Sequence, residues 1–592
     1  MPEAARRKSL AVRVLVPVLA IAVTAGCGAL GLGGDAGGPG VHTPSADRTS
    51  KPSRGSASGR SPAPPPPSLR VPTPGPTATP GREAAAPAAL PWGPTKAEWA
   101  RARRIVGHMS LGEKAGQVIV AGFDGTSAPL SLLRRHHVGG VIVMGNNVAS
   151  TDQVRDVNRA LQDEARRLGR SWPVVIGVDQ EGGRVARVKG GLTEFPAYMT
   201  LGAARDAGLA RTVARASGKE LRDLGFTMVF APDADVTTGP DDPTIGSRSA
   251  GSDPSVVAST VKGSLRGYAE AGIAAVPKHF PGHGSVPADS HVSLPVQEAS
   301  LAELRRRDLV PFKAAVGAGA QAVMVAHIDV RAVDAGAPSS VSGPVIGGML
   351  RERLGFSGVV VTDALEMAGV AEKYGSADAG VRALLAGADI LLLPADARAS
   401  HTAVVRAVRS GRLPQARLDA AAARSVALML HQRASVGADP LSTAALGGSS
   451  RASYTASLRG LTVASGPCRG RLVGSQVQVI GGDREDRERF AAAARDADLD
   501  VTRSAAEGAG GAGDVVRLLD AGWEQGSGDV VVALDTPYGL GGSRAEKARI
   551  ALYGRTPAAF QALADVLTGR ARGAGRLPVD VDGLPPRAGC PR

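Results

Sequence analysis

Short apolar runs bounded by turn residues recur through the middle of the chain, at 117–123, 138–144, 173–179, 226–235, 273–279, 322–329, 358–363 and 389–394. Between them lie longer stretches whose apolar residues return every three to four positions, as at 151–168, 207–224, 254–271, 301–317 and 376–386. A brief continuous apolar run suits a strand buried on both faces, and the helical period suits the segment that covers it. Eight such units predict an α/β fold with parallel strands. Closed on themselves, they make a TIM-type (β/α)8 barrel of about 250 residues or more. A doubly wound open sheet is the competing architecture. It asks for a Gly-rich phosphate turn after its first strand, and Gly122-Phe123-Asp124-Gly125 fits that poorly.

The flanks read differently. Runs at 476–480 and 529–534 suit strands and 557–567 suits a helix, which predicts a smaller C-terminal α/β sandwich over 455–592, with a Gly/Ala-rich interruption at 507–513. Ahead of the barrel, assigned to 95–435, residues 28–94 are rich in Pro, Gly, Ser, Thr and Ala. Such a segment buries too little apolar surface to order itself and is expected to serve as a tether. The chain starts with Arg6, Arg7 and Lys8, then an apolar run over 10–25 too short for an ordinary spanning helix, then Gly26-Cys27. Residues 1–27 resemble a bacterial lipoprotein signal with Cys27 as the lipidated residue, although Thr24 stands where an aliphatic residue is usual. The mature chain is then exported and held at the outer face of a membrane. In that oxidising setting the two remaining cysteines, Cys468 and Cys590, are expected to pair.

Composition narrows the partners. The formal net charge of +14 suits an anionic surface or polymer, but Arg is spread along the whole chain, so charge alone selects nothing. Aromatic residues are 3% of the total, too few for a base-stacking platform, and no nucleic-acid partner is expected. Three cysteines exclude a Cys-rich metal site.

The chemistry gathers at strand ends. Asp179, His279, Asp329 and Asp363 each end a predicted strand, and in a barrel those ends converge on one mouth. The richest segment is Lys278-His279-Phe280-Pro281-Gly282-His283-Gly284, followed by Asp289-Ser290-His291. Pro281 and Gly282 break any helical spacing of His279 and His283, so no zinc geometry is prepared and no metal or cofactor is expected. A polar pocket for a hydroxyl-rich ligand is the better reading. Asp289 and His291 stand two residues apart on a loop, where a carboxylate can hold one ring nitrogen while the other faces a substrate.

Taken in order, four segments resemble glycoside hydrolase family three, in its β-N-acetylglucosaminidase branch. They are Asp179 to Arg187, Ile245-Gly246-Ser247-Arg248-Ser249, Lys278 to Gly284 with Asp289-Ser290-His291, and Val361-Thr362-Asp363-Ala364-Leu365-Glu366-Met367. The resemblance implies a retaining glycosidase in which Asp363 is the nucleophile, His291 the acid/base and Asp289 its orienting partner. It also implies that Asp179, Arg187, Arg248, Lys278 and His279 bind the sugar, a terminal β-GlcNAc of peptidoglycan fragments or related glycosides. A monomer is expected. Two departures from the family pattern stand out: Ser285-Val286 replaces Asp-Thr, and Ala250 replaces an aromatic residue. A β-glucosidase is disfavoured by the Asp-Ser-His loop, and an inactive tethered glycan-binding lipoprotein would not need both Asp363 and His291. Phosphorolysis stays open beside hydrolysis, because a neutral histidine repels a phosphate acceptor less than a carboxylate does.

The anchor has a direct test. Cys27→Ser should release the protein from the membrane fraction and leave the barrel's activity intact; wild-type protein found wholly soluble in the medium would rule the lipid anchor out.

Overall fold

The computed structural model describes residues 89–436, 446–503 and 513–591; Cys27, the signal segment, the tether up to residue 88 and nearly all of 507–513 lie outside the described residues. Eight strands form where the apolar runs fall: β1 (Ile119–Ala121), β2 (Gly140–Val143), β3 (Val175–Val178), β4 (Met228–Val229), β5 (Ala274–Ala275), β6 (Ala322–Val325), β7 (Val359–Thr362) and β8 (Leu391–Leu392). All of their residues are buried, as expected of strands with side chains inside the ring on one face and under helices on the other. β8, β1, β2, β3, β4 and β5 pair in parallel in that order, and β6 pairs in parallel with β7. Single parallel bridges from Phe280 to Val325 and from Val361 to Ile390 join the two arcs and close a TIM-type barrel. Its interior is filled by side chains. Phe230 packs over Gly177, where an added Cβ would come within 2.7 Å of the ring.

Two expectations change. The stretch expected as one helix over 301–317 is two, Leu301–Arg306 and Leu309–Gly317. Pro311 has no N–H to give the Arg307 carbonyl, so the helix stops there and restarts. The fold also begins before residue 95, so the tether expected over 28–94 ends sooner. Leu90 N–H bonds to the Pro94 carbonyl at 2.7 Å, and buried Trp92 meets Trp99 edge-on with ring centroids 6.3 Å apart.

The second body is a six-stranded sheet: β9 (Thr462–Ser465), β10 (Gln476–Gly481), β11 (Asp500–Arg503), β12 (Asp514–Leu519), β13 (Ser527–Ala533) and β14 (Arg544–Ala551). The spatial order is β9-β14-β13-β12-β10-β11, parallel except for β9 at the edge. Alternation along β13 splits its residues between two cores, as the period of two requires. Val530 and Val532 pack under the helices Arg484–Asp496 and Pro557–Leu567. Val531 and Ala533 join Leu519, Ala551 and Tyr553 against Met199 and Ala203 of the barrel helix Tyr198–Ala204. One sheet face is therefore buried on the barrel itself.

Cys468 and Cys590 are joined in a disulfide across 122 residues, with Cα atoms 5.5 Å apart. Both cysteines should resist alkylation until reduced. Reduction should lower the unfolding temperature by roughly 5–10 °C, from a loop-closure contribution of about 2–4 kcal/mol. Labelling of both thiols in unreduced protein would show that the bond does not form.

Candidate active site

The chain leaving β3 folds into a short hairpin of Gln180–Gly182 against Val185–Ala186. The Gln180 side chain clamps it: its oxygen accepts Arg187 N–H at 2.9 Å and Val188 N–H at 3.1 Å, and its amide donates to the Val188 carbonyl at 3.1 Å. The clamp fixes Asp179 and Glu181 at the barrel mouth. Arg248 meets Glu181 in a bidentate pair, Nε to Oε2 at 2.8 Å and Nη2 to Oε1 at 2.9 Å. Lys278 Nζ bridges Glu181 Oε1 at 2.7 Å and Asp179 Oδ1 at 2.5 Å. Burial alone would raise the Glu181 carboxyl's pKa, but the guanidinium and ammonium beside it hold it far below the carboxylate range. Burial would likewise neutralise Lys278, and Asp179 and Glu181 overcome it, so its pKa is raised. Stranding such buried charges by removing one partner costs about 3–5 kcal/mol, so the cluster holds its members together.

Arg248 closes a tight turn, Gly246–Arg248. Asp242 caps that turn, accepting Ile245 N–H at 2.8 Å and Gly246 N–H at 3.2 Å. The second body braces it from outside: Asp535 accepts the Ser247 hydroxyl and lies 3.6 Å from Arg184 Nη1. Beyond β5, His279 Nδ1 bonds to Asp235 Oδ2 at 2.7 Å, and its Nε2 lies 3.3 Å from Arg248 Nη2. Asp235 also accepts His283 N–H at 2.6 Å and His279 N–H at 3.2 Å. Asp233, Asp235 and His279 offer three donor atoms within 4.8 Å of one another. Arg248 Nη2 stands 3.2 Å from Asp233, so a positive group already occupies that neighbourhood, and these residues do not fit a metal ion.

Asp363 follows β7 directly. Its N–H bonds across to the Val325 carbonyl at 2.9 Å, and Oδ1 accepts Ala364 N–H at 2.8 Å. Oδ2 takes no hydrogen bond from the described residues. Burial pushes this carboxyl's pKa up, but His279, His327, the Ala364 N–H and Lys278 outweigh it and bring it below the ordinary value. An ionised carboxylate with one free oxygen is what a nucleophile requires.

The Asp-Ser-His loop is held by its middle residue. Ser290 Oγ lies 2.8 Å from His283 Nε2, and the Ser290 carbonyl accepts Gly369 N–H at 3.1 Å, tying the loop to the segment that follows Asp363. His291 is then turned outward, its side chain 63% exposed, with Nδ1 2.7 Å from Asp289 Oδ1. The same oxygen accepts the His291 N–H at 2.9 Å. Arg187 sits at the hairpin's end with a buried Nε that has no partner, a donor left over for a ligand.

The structure thus gathers Asp179, Arg248, Lys278 and His279 into one cluster, sets Asp363 within its field, and forms the Asp289–His291 pair. Glu181 and Asp235 are members that the residue pattern did not single out, and His283, weighed there only as a metal ligand, has a structural part instead. Asp235 ends an apolar run, as the other strand-end residues do, and that signal was available. Asp329 goes elsewhere: its Oδ1 accepts Gly336 N–H at 2.8 Å and shapes a turn. Of the two departures from the family pattern, Ser285 bonds to buried Asp308 at 2.7 Å while Val286 and Ala250 are buried, so all three serve packing.

Comparison with known proteins agrees with this geometry. Residues 110–428 match the model of the glycosyl hydrolase family 3 N-terminal domain. A β-hexosaminidase from Stenotrophomonas maltophilia (strain R551-3) is 40% identical over 281 residues, 46% of this chain and 81% of that protein. β-Hexosaminidase A from Pseudoalteromonas piscicida is 36% identical over 279 residues, 44% of this chain, and the chain spans only 47% of its length. A family 3 β-N-acetylglucosaminidase structure from Paenibacillus sp. str. FPU-7 superposes with a TM-score of 0.72 at 31% identity, covering 80% of this chain and 99% of that one.

His283 generates a pH prediction. Burial first, and His279 second, push its imidazole from the ordinary 6.5 down to about 4. Between those values the unfolded chain binds the extra proton, so the native state should lose stability as pH falls from 6.5 towards 4. His283→Gln, which cannot titrate, should make the melting temperature fall less steeply over that window, with the remaining slope coming from His136, His137 and His327, whose pKa values burial also lowers. An unchanged pH profile would remove His283 from the account.

Proposed function

Because the chain belongs to glycosyl hydrolase family 3, we propose that it is an exo-acting, retaining β-N-acetylglucosaminidase. It removes terminal non-reducing β-GlcNAc from peptidoglycan fragments or related glycosides, at the outer membrane face to which Cys27 anchors it. The observation that carries this reading is the Asp289–His291 pair, 2.7 Å apart, on a loop pinned to the segment that follows Asp363.

The residues divide the work. Asp179, Arg187, Arg248, Lys278 and His279 offer charged and polar groups to the sugar hydroxyls and the acetamido group. In the first step Asp363 Oδ2 bonds to the anomeric carbon while the bond from that carbon to the aglycone oxygen breaks. His291 Nε2–H gives its proton to that oxygen. In the second step neutral His291 takes a proton from water, whose oxygen bonds to the anomeric carbon as the Asp363 ester breaks. Two inversions restore the β configuration, and His291 and Asp363 return to their starting states. An imidazole can give a proton from one ring nitrogen and take one back at the same atom, so a single side chain serves both steps. Asp289 fixes the ring so that Nδ1 is occupied and Nε2 is left free for a substrate.

Purified soluble protein should cleave aryl β-GlcNAc far better than aryl β-glucoside, and added phosphate should not change the product. A sugar phosphate in the product would replace hydrolysis with phosphorolysis. Asp363→Ala should abolish turnover. His291→Ala should slow glycosylation by about 10²–10⁴-fold for poor leaving groups and much less for activated ones, which depart without a proton. Equal slowing on both would mean that His291 is not the general acid.

A further inference from the structure

One buried carboxyl at the mouth has no part in the mechanism above. Asp233 follows β4, is fully buried, and neither of its oxygens meets a hydrogen-bond donor. Asp235 lies two residues on, on the same side of an extended segment that bridges to Lys278. Asp235 collects its donors from His279 Nδ1, His279 N–H and His283 N–H. The nearest cation, Arg248 Nη2, is 3.2 Å from Asp233 but directs its hydrogen bonds to Glu181 Oε1 and His279 Nε2. His279 Nδ1, 3.7 Å away, is given to Asp235.

Counting donors decides where a proton goes. A buried carboxylate with no donor is the state that desolvation penalises most, and two carboxyls in contact do not both ionise. Asp235 has the donors that stabilise a charge, and Asp233 has none. We propose that Asp233 is a positioning residue: it stands as a neutral carboxylic acid, gives its O–H to Asp235, and so holds the carboxylate that orients His279 in the sugar pocket beside Arg248. No bond is broken in this role; the proton stays on Asp233 through turnover.

The electrostatic surroundings agree in direction. Burial raises the Asp233 carboxyl's pKa well above the ordinary range; Arg248 opposes the rise, and Asp235 and Glu181 add to it. Asp235 moves the other way, because His279, the Asp233 hydrogen bond and the His283 N–H overcome its burial. The charged and titratable groups facing the pair are Arg248, Lys278, Glu181, His279 and His283, with the Tyr198 hydroxyl also within Asp233's field.

This inference rests on the sugar-binding role given to His279 and Arg248, and its first test does not depend on that role. Infrared difference spectra of ligand-free wild type minus Asp233→Asn at neutral pH should show the C=O stretch of a protonated carboxyl. A difference confined to carboxylate bands would overturn the proposal. Kinetics then test positioning. Asp233→Ala leaves the Asp235 pocket one donor short and should raise KM for aryl β-GlcNAc about tenfold with a smaller change in kcat. Asp233→Asn keeps an N–H donor and should recover most of that loss. In wild type, KM should climb at alkaline pH as Asp233 ionises, and in Asp233→Asn it should not. Equal defects in Asn and Ala variants, each folded by thermal melt, would mean that Asp233 acts as a charged partner of Arg248 instead.

Discussion

Glu181 is the point on which the mouth of this barrel is organised. It is a buried carboxylate that receives two bonds from Arg248 and one from Lys278, and Lys278 carries the arrangement on to Asp179. Those residues come from the ends of β3 and β5 and from the turn after β4, so one side chain fixes the relative placement of three loops. The cost of burying an anion is offset only if both cations stay in place. That condition keeps two long, flexible cationic side chains in single conformations before any sugar arrives. Preorganised charge of this kind is what a glycosidase pocket needs.

The second body acts on the same cluster from outside. Its sheet buries one face on the helix Tyr198–Ala204, so it is braced by an apolar core as well as by polar contacts. From that base Asp535 reaches Ser247 and Arg184, next to Arg248. The mechanism proposed above takes no group from this body, since Asp289 and His291 belong to the barrel. What it brings to the mouth is a brace on the turn that presents Arg248.

Much of this is legible in the amino-acid sequence. The eight apolar runs mark all eight barrel strands, because a strand buried on both faces must be apolar throughout. Asp179, His279 and Asp363 stand out because a charged residue at the end of such a run is out of place unless it is used. Other features were hidden for physical reasons. Glu181 lies three residues beyond the end of β3, and the Gln180 clamp shapes the hairpin that turns it inward. His283 looks like a possible metal ligand in the sequence, yet its work is to hold Ser290, a pairing set by a loop that doubles back. Met199 and Ala203 are ordinary helix residues whose partner sheet lies more than 250 positions further on. Local pattern carries no trace of such a contact.

The account turns on Asp363 forming a covalent bond to the sugar while His291 manages the proton. A 5-fluoro-β-GlcNAc fluoride slows both steps but keeps a good leaving group, so the glycosyl-enzyme should accumulate. Mass spectrometry of the intact protein and of its peptides reads that species directly. One sugar per chain, mapped to Asp363, is the predicted result. Rapid turnover or inhibition with no adduct, or an adduct on another carboxylate, would contradict it.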